Sequence, residues 1–216
     1  NSSLIFFGFM GLFAASLVAT PADLGATYFK GSFYNWYSLL ADAIGVLLII
    51  GVLMAFYRRY VMRPDRLDNI LDDNISLSLI LTSSVTGFLV EGFRMAVLVL
   101  PEEPQWAAWS PVGALIANAT IGLGEQANLA LHASFWWLHL VLVLGLIAYV
   151  GFSKMSHVIL APLNIFFRSS RPKGALVSIP DMENAETFGA SKIEDFTWKH
   201  LLDLDACTRC GRCQDA

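Results

Sequence analysis

Cysteine occurs three times in 216 residues, at Cys207, Cys210 and Cys213, all within the last ten positions. The spacing opens the run C-x2-C-x2-C-x3-C-P and stops just before its fourth cysteine. Three thiolates two residues apart can wrap one corner of a cubane [4Fe-4S] cluster. The fourth position of such a run usually serves a second cluster, so further ligands are expected elsewhere. The chain is therefore expected to be a piece of a longer protein. Cysteines gathered at one end argue for metal binding in a reducing compartment rather than for a disulfide scaffold.

Four histidines are present: His132, His139, His157 and His200. His139 and His157 are 18 residues apart, which on one continuous helix is a whole number of turns. They would share a face and stand about 27 Å apart along the axis. One haem cannot bridge that gap, but two haems stacked across a bilayer would sit at such a separation. Neutral imidazole is a common iron ligand, and polar groups inside a membrane are expensive enough to suggest function. The bland alternative makes His139 a core residue and His157 an interfacial anchor. His132 shares the face of His139 but reads as interfacial, and His200 as a surface residue.

Three ionisable residues fall inside apolar stretches: Asp42, Glu91 and Arg94. At similar depth they could frame a quinone headgroup and carry its protons. Glu91 and Arg94, one turn apart, could equally neutralise each other. Arg58, Arg59 and Lys154 could hold haem propionates or act only as charged anchors at the membrane surface. Trp136 and Trp137 either flank the quinone site or pack near the interface.

The elements that must position these residues are membrane helices. Hydrophobic residues make up 56% of the chain and charged ones 15%, with mean hydropathy +0.56; soluble domains run nearer a quarter charged. Residues 3–20, 36–57, 75–100 and 129–153 are each long enough to cross a hydrocarbon core of ~30 Å. The shorter apolar stretch 111–124 reads as interfacial or re-entrant. Arg58, Arg59, Arg63 and Arg66 lie between the second and third spans, and Lys154, Arg168, Arg171 and Lys173 follow the fourth. The loop 21–35 holds only Lys30, and 101–128 has no basic residue. The positive-inside rule thus puts the arginine loop and the cysteines in the cytoplasm. The net charge is −4 and no basic stripe exists for nucleic acid. Residues 161–196 form a polar connector broken by Pro172, Pro180 and an acidic run. Residues 198–204 then read as a short amphipathic helix. The expected organisation is an all-α, polytopic membrane helix bundle over 1–160, with one more span upstream. The connector over 161–196 and the start of a soluble ferredoxin-like [4Fe-4S] domain over 197–216 complete it.

The stretch FWWLHLVLVLGLIAYVGFSKMSHVILAPLNIFFR (135–168) resembles the last transmembrane helix of the nitrate reductase gamma subunit, a cytochrome b. The resemblance assigns haem b to His139 and His157. In that family an earlier helix supplies the opposite axial ligands as two histidines. Span 3–20 occupies that place and contains none, leaving Met10 as the residue there able to ligate iron. The tail FGASKIEDFTWKHLLDLDACTRCGRCQDA (188–216) resembles the membrane-bound iron–sulfur oxidoreductases that fuse this cytochrome b to a heterodisulfide-reductase-like cluster domain. Within that group the chain is most similar to the membrane electron-transfer-flavoprotein dehydrogenases, and the resemblance runs over essentially its whole length.

The resemblance implies an oxidoreductase of the bacterial inner membrane, with its cluster domain cytoplasmic. Its donor would be electron-transfer flavoprotein and its acceptor menaquinone, reached through one or two b-type haems, with room for further subunits. The same wiring could run in reverse, oxidising quinol to reduce a cytoplasmic disulfide. From a different class, the chain could be a redox-inactive membrane anchor of a larger complex. A transporter is disfavoured by the fused cluster motif.

Overall fold

The computed structural model describes residues 2–23, 31–65, 67, 70–170, 172, 183 and 189–208. Among them the chain is helical with no strand. Among the described residues four helices are long and apolar enough to cross a membrane. They are α1 (Ser2–Asp23), α2 (Ser32–Tyr57), α3 (Leu71–Arg94) and α5 (Glu125–Val150). α1 and α2 contain the expected spans 3–20 and 36–57, whereas α3 and α5 end at Arg94 and Val150, short of the expected ends at 100 and 153. α2 and α3 continue as π-helical turns, Arg58–Met62 and Met95–Val99. Arg63 closes the first of these in the left-handed region at φ 42°.

The chain divides into two compact units, residues 1–148 and 149–216. In the first, small residues let the helices approach, because lipid offers no hydrophobic drive to hold helices together and close packing must do so. A Cβ on Gly8 of α1 would lie 2.8 Å from Leu48 Cβ of α2, and one on Gly51 would lie 2.9 Å from Leu4 Cβ of α1. Gly45 of α2 likewise receives the Phe88 ring of α3. Leu48 and Val52 form the buried seam of α2, whereas Trp137, Val141 and Leu144 of α5 face outward.

The stretch 111–124, expected to be interfacial or re-entrant, forms α4 (Pro111–Thr120) and a 3-10 turn, Ile121–Leu123. At ~1.5 Å per residue its ten residues cover only about 15 Å, too short to span. It buries Ala114 and Ala117 against Met95 and Ala96. Pro111 opens α4 at a position where the missing N–H is no loss. An aromatic cluster lies at this end of the bundle: Tyr34 meets Trp106 at a tilt, with ring centroids 4.6 Å apart, and Trp36 meets Trp109 edge-on at 5.2 Å.

The expectation that one continuous helix carries both His139 and His157 is overturned. α5 stops at Val150, Gly151 and Phe152 turn, and Ser153 takes an extended conformation. Ser153 Oγ accepts the Met155 N–H at 3.2 Å, giving the next turn its cap. Serine readily exchanges helix bonds for such local ones. α6 (His157–Phe166) then begins anew at His157 itself. The 18-residue spacing therefore does not translate into one helical face.

In the second unit α7 (Trp198–Asp205) packs on α6. Thr197 caps it by accepting the His200 N–H, the Phe167 ring meets Trp198 edge-on at 5.4 Å, and Lys199 bonds both Asn164 and Asp203. Residues 171, 173–182 and 184–188 of the expected connector lie outside the described residues.

Candidate functional site

The unit of residues 1–148 holds a half-open cavity of about 470 Å³ lined by α1, α2, α3 and α5, a size typical of small-molecule and cofactor sites. Phe9, Leu12 and Phe13 of α1 give it an apolar wall, while Asp42, Glu91, Arg94 and His139 line it together with serine and tyrosine hydroxyls. Sequence reasoning named Asp42, Glu91, Arg94 and His139, and the fold brings the four to one cavity.

His139 projects from α5 towards α3. Its Nδ1 lies 3.0 Å from Thr86 Oγ1. Thr86 also reaches the carbonyls of Thr82 (2.8 Å) and Ser83 (3.0 Å) on its own helix. A hydroxyl has one proton, and backbone carbonyls only accept, so that proton belongs to the helix. Thr86 therefore accepts from His139 Nδ1–H, and the lone pair of the neutral imidazole is on Nε2; this tautomer is assigned from the bonding network. A ligating histidine held this way has its orientation and tautomer set in advance. The residue after Thr86 is Gly87, and a Cβ there would meet His139 Cε1 at 3.3 Å. The glycine is what lets the ring sit so close to α3.

His132, two turns earlier on α5, gives its Nδ1–H to the Val90 carbonyl at 3.0 Å. That bond ties α5 to α3 and accounts for the residue without a ligand. Trp136 and Trp137 are exposed and do not line the cavity.

Asp42 is only 4% exposed. Its Oδ2 accepts the Val112 N–H at 3.0 Å, so a carboxylate on α2 satisfies an otherwise orphaned donor in the first turn of α4. Oδ1 has no hydrogen-bond partner among the described residues. Glu91 lies at the far end of α3 with Ser110, Asp42 and Arg94 as its polar neighbours. Gly113 of α4 makes room for it: a Cβ there would sit 3.2 Å from both Glu91 Cγ and Cδ. Arg94 stands where α3 gives way to a π-turn, a distortion frequent at functional sites. Ser38, Ser110, Thr86 and the glycines at 87 and 113 were not singled out in the sequence. Serine, threonine and glycine are common in membrane helices, and nothing in the sequence distinguishes these five.

The other expectations separate. Met10 does not line the cavity: Phe9, Leu12, Phe13 and Ser16 form the inward stripe of α1, and a residue 100° round the helix from Phe9 turns away. A Met10–His139 pair is therefore not assembled. Arg59 bonds Asp73 at 2.9 Å, with the two side chains 18% and 10% exposed, so its guanidinium already holds a carboxylate at the foot of α3. Arg58 extends from the π-turn beside it, and Lys154 lies in the second unit.

In that second unit His157 Nδ1 lies 2.6 Å from the Lys154 carbonyl. The carbonyl can only accept, so Nε2 again carries the lone pair. His200 is exposed and meets Phe196 edge-on at 6.0 Å. Cys207 is exposed just beyond α7. Cys210 and Cys213 lie outside the described residues.

Comparison with known proteins follows the same lines. The chain is 37% identical to EtfAB:quinone oxidoreductase of Syntrophomonas wolfei over 220 aligned positions, 99% of this chain and 31% of that protein. It is 35% identical over 185 positions to the probable iron-sulfur-binding oxidoreductase FadF of Bacillus subtilis, covering 85% of this chain and 26% of the relative. It is 28% identical over 169 positions to one subunit of the dihydromethanophenazine:CoB–CoM heterodisulfide reductase of Methanosarcina thermophila, covering 74% of this chain and 54% of that polypeptide. The chain thus spans about a third of the first relative and a quarter of the second. No family model and no solved structure matches it. Similarity along nearly the whole chain, together with four candidate spans among the described residues and a cluster-type cysteine run, groups this segment with the corresponding part of the membrane-bound iron–sulfur oxidoreductases represented by EtfAB:quinone oxidoreductase.

Proposed function

We propose that this chain is the membrane segment of an enzyme that moves electrons between cytoplasmic iron–sulfur clusters and menaquinone, with electron-transfer flavoprotein as donor. The observation that carries the reading is the cavity in which His139 and the group Asp42, Glu91 and Arg94 meet. An imidazole with its Nδ1–H pinned to Thr86 suits iron ligation. His157, pinned to the Lys154 carbonyl, suits it equally. Both residues fit haem b, which when bound supplies one-electron transfer, and the protein sets its position and potential. Cys207, Cys210 and Cys213 are the proposed ligands of a [4Fe-4S] cluster completed by residues beyond this segment. Arg58 and Lys154 remain candidates for haem propionates.

At the other polar group, Arg94 would orient a quinone carbonyl, and Glu91 would deliver or remove its proton. Asp42 holds α4 over this end with one carboxylate oxygen and keeps the other for the cavity. Orientation in the inner membrane, with the clusters cytoplasmic, follows from the arginine-rich loops. Running in reverse, the same arrangement would oxidise quinol and reduce a cytoplasmic disulfide; similarity to a heterodisulfide reductase subunit favours keeping that second reading.

The test is a reduced-minus-oxidised spectrum of the detergent-purified protein with haem b quantified per chain. A low-spin b-type signal is expected. Its absence would leave a membrane anchor whose redox groups lie elsewhere, and the cytochrome reading would fall.

A further inference from the structure

The expected polar connector starts at residue 161, yet α6 stays largely apolar through Phe166 and buries none of its residues. Ile159, Pro162, Leu163 and Phe166 follow one another at i, i+3, i+4 and i+7, the spacing of a single helix face. All four are exposed, Phe166 to 79%. Another side of α6 is already taken. Asn164 accepts from Lys199, the Phe167 ring just past the helix meets Trp198, and α7 packs there. Ten residues rise only about 15 Å, so α6 is too short to cross a bilayer. An exposed apolar stripe of this kind marks a surface that something covers.

Position and charge say what covers it. α5 is a candidate span ending at Val150, and only residues 151–156 separate it from α6, too few to carry α6 far from the bilayer surface. Between Glu125 and Asp181 the chain has no acidic residue, whereas Lys154, Arg168, Arg171 and Lys173 are basic. Lys154 stands before the stripe and the exposed Arg168 just after it. Both have stems long enough to lie along apolar surface while the charge reaches a phosphate. A protein partner gives no reason for one sign of charge over so long a stretch; an anionic lipid surface does. Trp198, 63% exposed beside Phe167, is a side chain favoured at the lipid–water boundary.

We propose that α6 lies along the bilayer surface, with Ile159, Pro162, Leu163 and Phe166 in the acyl chains and Lys154 and Arg168 on the phosphates of acidic phospholipid. α7 is then held at the membrane surface through α6. Cys207 follows α7 directly, its N–H bonded to the Leu204 carbonyl at 3.1 Å. The same anchor therefore keeps the start of the cysteine run at the membrane surface. Electrons passing between clusters in water and a carrier in lipid need such a fixed approach, whichever way they run.

The experiment uses the full protein in phosphatidylcholine vesicles with and without phosphatidylglycerol. Each vesicle carries a trace of phospholipid with a photoactivatable diazirine high on its acyl chain, and labelled residues are mapped by peptide mass spectrometry. Val141, outward on α5, should label in both vesicles and so report insertion. Ile159, Leu163 and Phe166 should label as well, and Asn164, on the α7 side, should not. Phosphatidylglycerol should raise labelling of the stripe relative to Val141. Arg168→Gln should lower it about fivefold, the effect of one basic residue at an anionic surface. Hydroxyl radicals generated in the water phase give the opposite readout. A stripe oxidised and unlabelled lies in water. One neither labelled nor oxidised is covered by protein, whether another part of a longer chain or a second copy. Either result, with Val141 labelled, would overturn the proposal. Stripe labelling indifferent to phosphatidylglycerol and to Arg168→Gln would overturn the role given to acidic lipid.

Discussion

Thr86 Oγ1 lies 3.0 Å from His139 Nδ1 and passes its own proton to the carbonyls of its helix, so a threonine on α3 sets the tautomer of a histidine on α5. Thr86→Val keeps the volume and removes the acceptor. Losing a partner of this kind typically weakens a metal site about 10–100-fold. The expected result is loss of haem at the His139 site during purification, read as haem per chain. Full retention would show that the threonine does not hold the ligand.

His157 is held by a bond of a different kind, from its own Nδ1 to the Lys154 backbone. That bond survives every side-chain change at 154. His157→Ala should therefore abolish a low-spin haem signal, while Lys154→Ala should leave it in place. An unchanged b-type spectrum in His157→Ala would remove that residue from the ligands.

Arg59 and Asp73 join the π-turn after α2 to the first turn of α3 with little solvent between them. Asp73→Asn takes this carboxylate charge from the Arg59 guanidinium and removes an acidic residue from a helix start. Breaking a pair this buried costs about 3 kcal/mol. Thermal unfolding in detergent should register the loss, and a melting temperature equal to wild type would mean the pair is solvated in practice.

Outside the membrane spans, the Asp203 carboxyl is held below the usual range, first by its hydrogen bond from Lys199. A depressed folded value means that its contribution to docking α7 on α6 is full above the unfolded carboxylate pKa of about 4. That contribution is lost as pH falls through the lower folded value. Trp198 fluorescence, which senses the Phe167 contact, should be flat from neutrality to about pH 4 and change below it. Asp203→Asn should loosen α7 at neutral pH. A transition centred above pH 5 in the wild-type protein would contradict this assignment.

Amino-acid order alone was enough for the parts that depend on local physics. Long uncharged runs must become helices in lipid, because each backbone polar group has to be satisfied within its own segment. Thiolates two residues apart announce a cluster wherever the chain folds, and Asp42, Glu91, Arg94 and His139 stood out because charged or polar groups inside apolar spans are costly. The helical periodicity of His139 and His157 misled, since it presumes an unbroken helix and Ser153 caps a new turn between them. Met10 misled for a related reason: which face of α1 turns inward is decided by Gly8 and Gly11 packing on Leu48 and Ile44, not by composition. What the tertiary structure decided are contacts between residues far apart in sequence, such as Val112 with Asp42, Thr86 with His139 and Ser38 with Ser110. Each unites groups that are ordinary singly, and only the packing of one helix on another brings a donor within 3 Å of its acceptor.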